Sequence, residues 1–112
     1  MCSRGWIGVD LDGTLANYDE WRGVEHIGSP IPAMLERVKR WLKEGQEVRI
    51  FTARVAGIDH LQARHYIRKW CREHVGFELP ITATKDYGCI EIWDDRAVQV
   101  VPNTGVRADG ND

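Results

Sequence analysis

An apolar run near the start of the sequence stops abruptly at acidic residues. Residues 6–9 are uncharged and are followed at once by Asp10 and Asp12, which stand on either side of Leu11, and then by Gly13. A short apolar run bounded by a turn signal is typical of a buried β-strand. We therefore expect a strand over residues 6–9 that delivers two carboxylates to a loop at its carboxyl end.

Further apolar runs alternate with segments of helical periodicity. Strands are predicted over residues 48–51, 79–82, 90–93 and 98–101. Apolar side chains at helical spacing follow Pro32 and stop before Gly45, and a second helical pattern covers residues 59–74. Strands that alternate with helices indicate a parallel sheet with right-handed crossovers. We therefore predict the α/β class, with helices flanking a mostly parallel five-stranded sheet.

The length bounds the domain organisation. The chain has 112 residues, which fits one domain and leaves no room for two. We assign residues 1–102 to a single folded domain. Residues 103–112 are polar and contain glycine, so we expect them to form a flexible tail.

Charge, hydropathy and cysteine usage limit the function classes. The net charge of −2 argues against binding nucleic acid or an anionic membrane through charge alone. No apolar run approaches the roughly 20 residues that cross a bilayer, and residues 1–5 lack the apolar stretch of a signal peptide. Cys2, Cys71 and Cys89 have no metal-ligand spacing, which favours reduced thiols. We expect a cytoplasmic protein that has no membrane partner and meets nucleic acid only as a substrate.

Polar residues follow the predicted strands at their carboxyl ends. Thr52 follows the second strand, and Asp94 and Asp95 follow the fourth. Ligands of parallel sheets bind beyond these ends, so the three residues should meet Asp10 and Asp12. Clustered carboxylates repel one another unless a hard cation neutralises them, and oxygen-only ligands suit Mg²⁺ together with a phosphate. The sequence therefore predicts a site for Mg²⁺ and a phosphorylated substrate.

Several residues have an ordinary structural interpretation beside the functional one. Thr52 could bind phosphoryl oxygens or cap a helix, and Lys85 could neutralise a transferring phosphoryl group or be a surface lysine. Arg54 is a candidate substrate contact or a surface arginine. Tyr18 and Trp21, in an irregular segment, could stack on a base or sugar or could pack that segment onto the body. These alternatives stay open at the level of the sequence.

The ordered set of polar residues resembles the four motifs of the haloacid dehalogenase superfamily. The set is Asp10-Leu11-Asp12-Gly13-Thr14, then Thr52, Lys85 and Asp94-Asp95. The match extends over residues 6–101, and it implies a single Rossmann-like domain whose first strand is central. The gaps between the motifs leave no room for a cap domain, so the resemblance is to a small, capless member with an open site.

The resemblance also implies a role for each residue. Asp10 would attack phosphorus and form an aspartyl-phosphate, which splits one hard step into two easier ones. Asp12 would protonate the leaving oxygen and then activate water. Thr52 and Lys85 would hold the phosphoryl group, and Arg54 is added as a substrate contact.

The implied metal ligands are Asp10, the backbone carbonyl of Asp12 and Asp94, with Asp95 supporting the site. The expected function is that of a Mg²⁺-dependent phosphomonoester hydrolase. Because the site is open, we expect it to admit a bulky or macromolecular phosphorylated substrate, or to be covered by a second copy of the chain.

Two other function classes remain as alternatives. A receiver-like signalling domain would carry its phosphoacceptor aspartate at the end of a middle strand, ahead of its threonine. Here the middle strand ends in Thr52, and the later acids follow Lys85. A non-catalytic interaction module that keeps the same fold would tolerate the loss of Asp10 and Asp12, and both are present.

Overall fold

The secondary structure follows the apolar patterns of the sequence closely. The computed structural model describes residues 5–111. Its elements, in chain order, are β1 (Trp6–Val9), α1 (Pro32–Lys43), β2 (Glu47–Phe51), α2 (His60–His74), β3 (Ile81–Thr82) and β4 (Cys89–Trp93). A single 3₁₀ turn, Ala53–Val55, lies between β2 and α2.

The strands form one parallel sheet in the order β3-β2-β1-β4. β1 lies inside the sheet, where Val9 is paired with Ile50 of β2 and with Trp93 of β4. All residues of β1 are buried, as expected for a parallel strand covered on both faces. This register brings the carboxyl ends of β1, β2 and β4 to the same edge of the sheet. The predicted α/β class, with helices flanking a parallel sheet, is confirmed.

The predicted fifth strand over residues 98–101 is wrong, because the described part of the chain forms a sheet of four strands. This segment bonds instead to residues that follow it in the chain. The Val101 N–H donates to Val106 O at 2.8 Å, and the Ala108 N–H donates to Gln99 O at 2.8 Å. The valines of the segment stay exposed. The apolar pattern of this segment therefore could not show that its hydrogen-bond partner is the chain that follows it and not a strand of the sheet. The expectation of a flexible tail over residues 103–112 stays a prediction.

Both helices bury one stripe of side chains against the sheet. α1 begins at Pro32 and buries Met34 and Val38. It ends before Gly45, whose φ of 86° lets the Gln46 N–H donate to the carbonyl of Trp41 at 2.9 Å. Only glycine adopts this backbone conformation without strain, so it makes an effective helix stop. The buried residues of α2 are Ala63, Ile67, Trp70 and Cys71.

A loop over residues 17–29, which we call the flap, leaves and rejoins the domain at neighbouring points. The Asn17 N–H donates to Ser29 O at 2.8 Å, and the Ile31 N–H donates to Leu15 O at 2.7 Å. Trp70 of α2 donates from its indole to Gly28 O at 2.9 Å. Closed ends of this kind are typical of Ω-loops, which are frequently functional.

No segment of residues 5–111 forms a cap domain over the carboxyl edge of the sheet, because one gap holds the flap and the other holds α2 and β3. Within the same residues, no helix is long and apolar enough to span a membrane. Cys71 and Cys89 form no disulfide within residues 5–111, and Cys2 lies outside the described residues.

Candidate active site

The ends of three strands and the flap enclose a cleft of about 640 Å³. This volume is in the range of small-molecule sites. The lining residues include Asp10, Asp12, Tyr18, Trp21, Thr52, Arg54, Asp94, Asp95 and Arg96. Of the residues that the sequence singled out for phosphate or metal binding, only Lys85 is absent from this lining.

Three carboxylates meet on the floor of the cleft. Asp10, Asp94 and Asp95 each place an oxygen within 4.8 Å of the others. Asp10 is brought to β4 by the main chain, since its N–H donates to Trp93 O at 2.9 Å. Burial, the charge of Asp94 and a hydrogen bond with Asp95 raise the pKa of Asp10 to about 7. The cluster therefore favours a proton or a cation among its oxygens.

The chemistry of this cluster fits a hard divalent cation. All three side chains offer oxygen donors, which Mg²⁺ prefers. Asp95 is exposed, so one side of the cluster is open to water, and Mg²⁺ usually keeps several waters. The side chain of Asp12 is not one of the cluster's members within residues 5–111. These acids could therefore hold Mg²⁺.

Thr14 links the loop after β1 to the end of β4. Its hydroxyl accepts from the Asp95 N–H at 3.0 Å and donates to Asp95 Oδ1 at 3.1 Å. The same hydroxyl lies 3.5 Å from Asp10 Oδ2. Gly13 has a φ of 90°, and a Cβ there would lie 2.7 Å from Asp95 Oδ2. The sequence analysis included Thr14 in the first motif but assigned it no role. The signal that could have indicated a role is a hydroxyl side chain two residues after Asp12.

Thr52 directly follows β2 and is buried in the lining of the cleft. Its hydroxyl oxygen accepts from the Arg54 N–H at 3.2 Å and so caps the 3₁₀ turn. This bond uses an oxygen lone pair and leaves the hydroxyl hydrogen for another acceptor. Capping and phosphate binding, which the sequence offered as alternatives, are therefore compatible at this residue.

Arg54 forms a fork-like ion pair with Asp12. Its Nε donates to Asp12 Oδ2 at 2.7 Å and its Nη2 to Asp12 Oδ1 at 2.8 Å. The guanidinium also donates to the carbonyls of Val24 and His26 in the flap, at 3.3 and 2.9 Å. The Arg54 side chain is only 5% exposed. Arg54 thus connects the loop after β1, the end of β2 and the flap.

The basic side chains that line the cleft differ from those that the sequence predicted. Lys85 is exposed, and it forms no hydrogen bond or ion pair within residues 5–111. Its role as a phosphoryl contact stays a prediction. Arg96, which sequence reasoning missed, lines the cleft, and its N–H donates to Asp94 Oδ1 at 2.8 Å. The signal that could have found Arg96 is its position directly after the acids that end β4.

Two aromatic residues of the flap face the cleft. Tyr18 is 45% exposed and Trp21 is 56% exposed, and both belong to the lining. The Arg54 guanidinium carbon lies 4.8 Å from the centre of the Trp21 ring. Neither residue is buried, and the contact with Arg54 joins Trp21 to the body, so stacking on a ligand and packing of the flap both stay open as interpretations.

Comparisons with known proteins give a likeness in fold. No protein-family model and no curated protein matches the chain. A solved structure from Bacteroides thetaiotaomicron, titled as that of a conserved protein, is similar with a TM-score of 0.61 and 23% identity. The likeness covers 90% of this chain and 84% of the other. At this identity the likeness extends to the α/β fold alone.

Proposed function

We propose that this chain is a Mg²⁺-dependent phosphomonoester hydrolase, a small capless member of the haloacid dehalogenase superfamily that acts through an aspartyl-phosphate on Asp10. One observation carries the proposal. Asp10, Thr52 and the adjacent pair Asp94 and Asp95 come from three distant segments of the sequence and converge in one cleft. The order of these residues along the chain is that of the superfamily's motifs.

Asp10 is suited to the part of nucleophile. It follows the interior strand β1, and its backbone is fixed by the bond to Trp93. A carboxylate attacks a phosphate dianion only if their repulsion is offset. Mg²⁺ held by Asp10, Asp94 and Asp95 would supply that neutralisation. The attack forms the bond between a carboxylate oxygen of Asp10 and phosphorus and releases the leaving oxygen.

Asp12 is suited to proton transfer in both half-reactions. Its carboxylate lines the cleft and is separate from the acid cluster, and each of its oxygens keeps a second lone pair beside the hydrogen bond from Arg54. Arg54 binds both of its oxygens and so fixes its orientation. Asp12 gives a proton to the leaving oxygen and then takes one from the water that hydrolyses the aspartyl-phosphate.

The phosphoryl oxygens would be held by groups at the end of β2 and by a cation. Thr52 offers its hydroxyl, and the loop after β2 offers main-chain N–H groups. Lys85 is the cation implied by the resemblance. Arg96 is a second candidate, because it already lines the cleft.

The open cleft bears on the size of the substrate. Within residues 5–111 no cap covers the carboxyl edge, so a bulky phosphorylated group could enter, or a second copy of the chain could close the site. The near-neutral charge gives no special support to nucleic acid as the substrate.

The proposal is tested by hydrolysis of p-nitrophenyl phosphate. We expect the wild-type protein to hydrolyse it with Mg²⁺ and not with EDTA, and Asp10→Asn to abolish turnover because an amide is a poor nucleophile. Asp59→Asn, at the exposed start of α2, is the matched control and should keep full activity. Metal-dependent turnover that survives in Asp10→Asn would remove the nucleophile assignment.

A further inference from the structure

Trp21 is a large aromatic residue that the fold holds at the mouth of the cleft without burying it. More than half of its surface, 56%, is exposed. An exposed indole forgoes the stabilisation that burial would give. The ring is not part of the hydrophobic core, and unlike most other exposed large apolar side chains of the described residues it lines the cleft.

Arg54 contacts the ring of Trp21 and so helps to fix its position. The guanidinium carbon lies 4.8 Å from the centre of the indole ring, the geometry of a cation–π contact. Arg54 is itself held by Asp12 and by the carbonyls of Val24 and His26. One side of the indole thus rests on a rigid base, and the remaining exposed surface borders the cleft.

The lining of the cleft therefore has two chemically different parts. Asp10, Asp94 and Asp95 form one part, which suits a cation and a phosphoryl group. Trp21 and Tyr18, which is 45% exposed and comes from the same flap, form an aromatic part. A volume of about 640 Å³ accommodates a small-molecule ligand that contacts both parts.

We propose that Trp21 is a stacking platform for a planar ring in the leaving group, and that the substrate is a nucleoside monophosphate. This inference rests on the proposed phosphatase activity and names its substrate class. Stacking on an aromatic side chain is tolerant of base identity, because every base has a π-face. The phosphoryl group then lies at the acid cluster while the base lies on Trp21.

The charges around the cleft favour a free nucleotide over the end of a strand. Arg54 and Arg96 are the lysine or arginine residues that line the cleft within residues 5–111, and the guanidinium of Arg54 is occupied by Asp12. A polyanionic strand gains affinity by neutralising several successive phosphates. This cleft offers one lining guanidinium, that of Arg96, without an ion pair in the described residues.

The test compares adenosine 5′-monophosphate with ribose 5-phosphate, in which a hydroxyl group takes the place of the base. We expect wild-type protein to prefer the nucleotide, and Trp21→Ala to raise its KM about tenfold or more. The kinetic constants for ribose 5-phosphate should stay unchanged. Trp21→Phe keeps a π-face and should retain most of the preference. Measurable turnover of both substrates with equal efficiency by wild type, or an equal loss on both in Trp21→Ala, would overturn the proposal.

A binding measurement separates this proposal from the proposed activity. Calorimetry with Mg²⁺ and Asp10→Asn protein needs no turnover. We expect adenosine 5′-monophosphate to bind more tightly than ribose 5-phosphate, and Trp21→Ala in the same background to remove the difference. If the nucleotide binds in this way but wild type hydrolyses neither compound, the platform stands and the hydrolase assignment fails. Hydrolysis of both compounds without a base-dependent difference would support the phosphatase activity and would contradict the stacking role of Trp21.

A third experiment distinguishes a free nucleotide from the phosphorylated end of a nucleic-acid strand as the substrate. A 5′-phosphorylated oligodeoxyadenylate, assayed in parallel, should be a poorer substrate than the free nucleotide. A better rate on the oligonucleotide would overturn the assignment to a free nucleotide.

Discussion

Arg54 is the residue at which the structure adds most to the sequence. The sequence offered two interpretations, a substrate contact or a surface arginine. In the structure its guanidinium is buried and binds Asp12 and two flap carbonyls. A pair between residues 12 and 54 is a tertiary contact, and no local pattern encodes it. Arg54 is best understood as a positioning residue for Asp12.

A double-mutant cycle tests this positioning role with β-glycerol phosphate, whose leaving oxygen requires a proton. Lysine keeps the charge but cannot offer the fork, so Arg54→Lys should lower kcat roughly 10- to 100-fold. Asp12→Asn should lower kcat roughly 10²–10⁴-fold, and the double variant should be no worse than Asp12→Asn alone.

Mg²⁺ affinity should be nearly unchanged in both variants, because neither side chain belongs to the acid cluster. Arg68→Lys, an exchange at an exposed pair with Glu78, is the control. Additive losses in the double variant would mean that Arg54 acts independently of Asp12. A large loss of metal affinity in Asp12→Asn would contradict the site geometry.

The residues at strand ends could be predicted, because strand ends can be read from the sequence and parallel strands share an edge. Asp10, Thr52, Asp94 and Asp95 were placed in this way, and they meet in one cleft. Lys85 sits in a loop between strands, where sequence spacing does not determine direction.

At the scale of the elements, the flap depends on a close passage of two backbone segments. A Cβ at Gly28 would lie 2.0 Å from the carbonyl oxygen of Asn17. No side chain, however small, fits there without moving the main chain. The absence of a side chain at Gly28 therefore allows the two ends of the flap to approach each other. The flap also carries the two carbonyls that accept hydrogen bonds from Arg54.

Gly28→Ala should separate the flap ends and lower the free energy of unfolding by about 1–3 kcal/mol, the usual cost of overpacking. Gly57→Ala is the matched control, because a Cβ at Gly57 meets nothing within 4 Å. Urea unfolding should show a lower midpoint for Gly28→Ala only. Equal midpoints for the two variants would contradict the close passage in the structure.

Element boundaries were predicted less accurately than the elements themselves, and the predicted start of the third strand at residue 79 is wrong. β3 begins at Ile81 and not at residue 79, because Pro80 has no N–H to donate to the ladder. Its carbonyl still accepts from the Ile50 N–H at 2.8 Å. The segment over residues 98–101 shows a different case, since its apolar pattern could not reveal that its partner is the following turn.

At the scale of the whole molecule, the fold brings mutually repelling acids together where the strands end. The class of the fold follows from the alternation of strands and helices in the sequence. The strand order β3-β2-β1-β4 does not, because it depends on which apolar faces pack together in three dimensions. The acid cluster is a consequence of that order.

The cluster should reduce stability when no cation is bound. In EDTA at mildly alkaline pH, where Asp10 is ionised despite its raised pKa of about 7, Asp10→Asn removes one of three crowded carboxylates and should raise the melting temperature by a few degrees. Mg²⁺ should raise the melting temperature of wild type, because it binds the folded state. Asp59→Asn, an exposed acid outside the cluster, should change neither value. A lower melting temperature for Asp10→Asn in EDTA would contradict the repulsion.

The most direct test of the central claim is chemical identification of the phosphorylated residue. p-Nitrophenolate leaves without needing a proton, so Asp12→Asn should still form the aspartyl-phosphate from p-nitrophenyl phosphate and should hydrolyse it slowly. Borohydride reduction of the quenched protein converts an aspartyl-phosphate to homoserine, which mass spectrometry locates. We predict homoserine at position 10, dependent on Mg²⁺. Continued release of p-nitrophenol with Asp10 unmodified, or with the modification at another residue, would contradict the account.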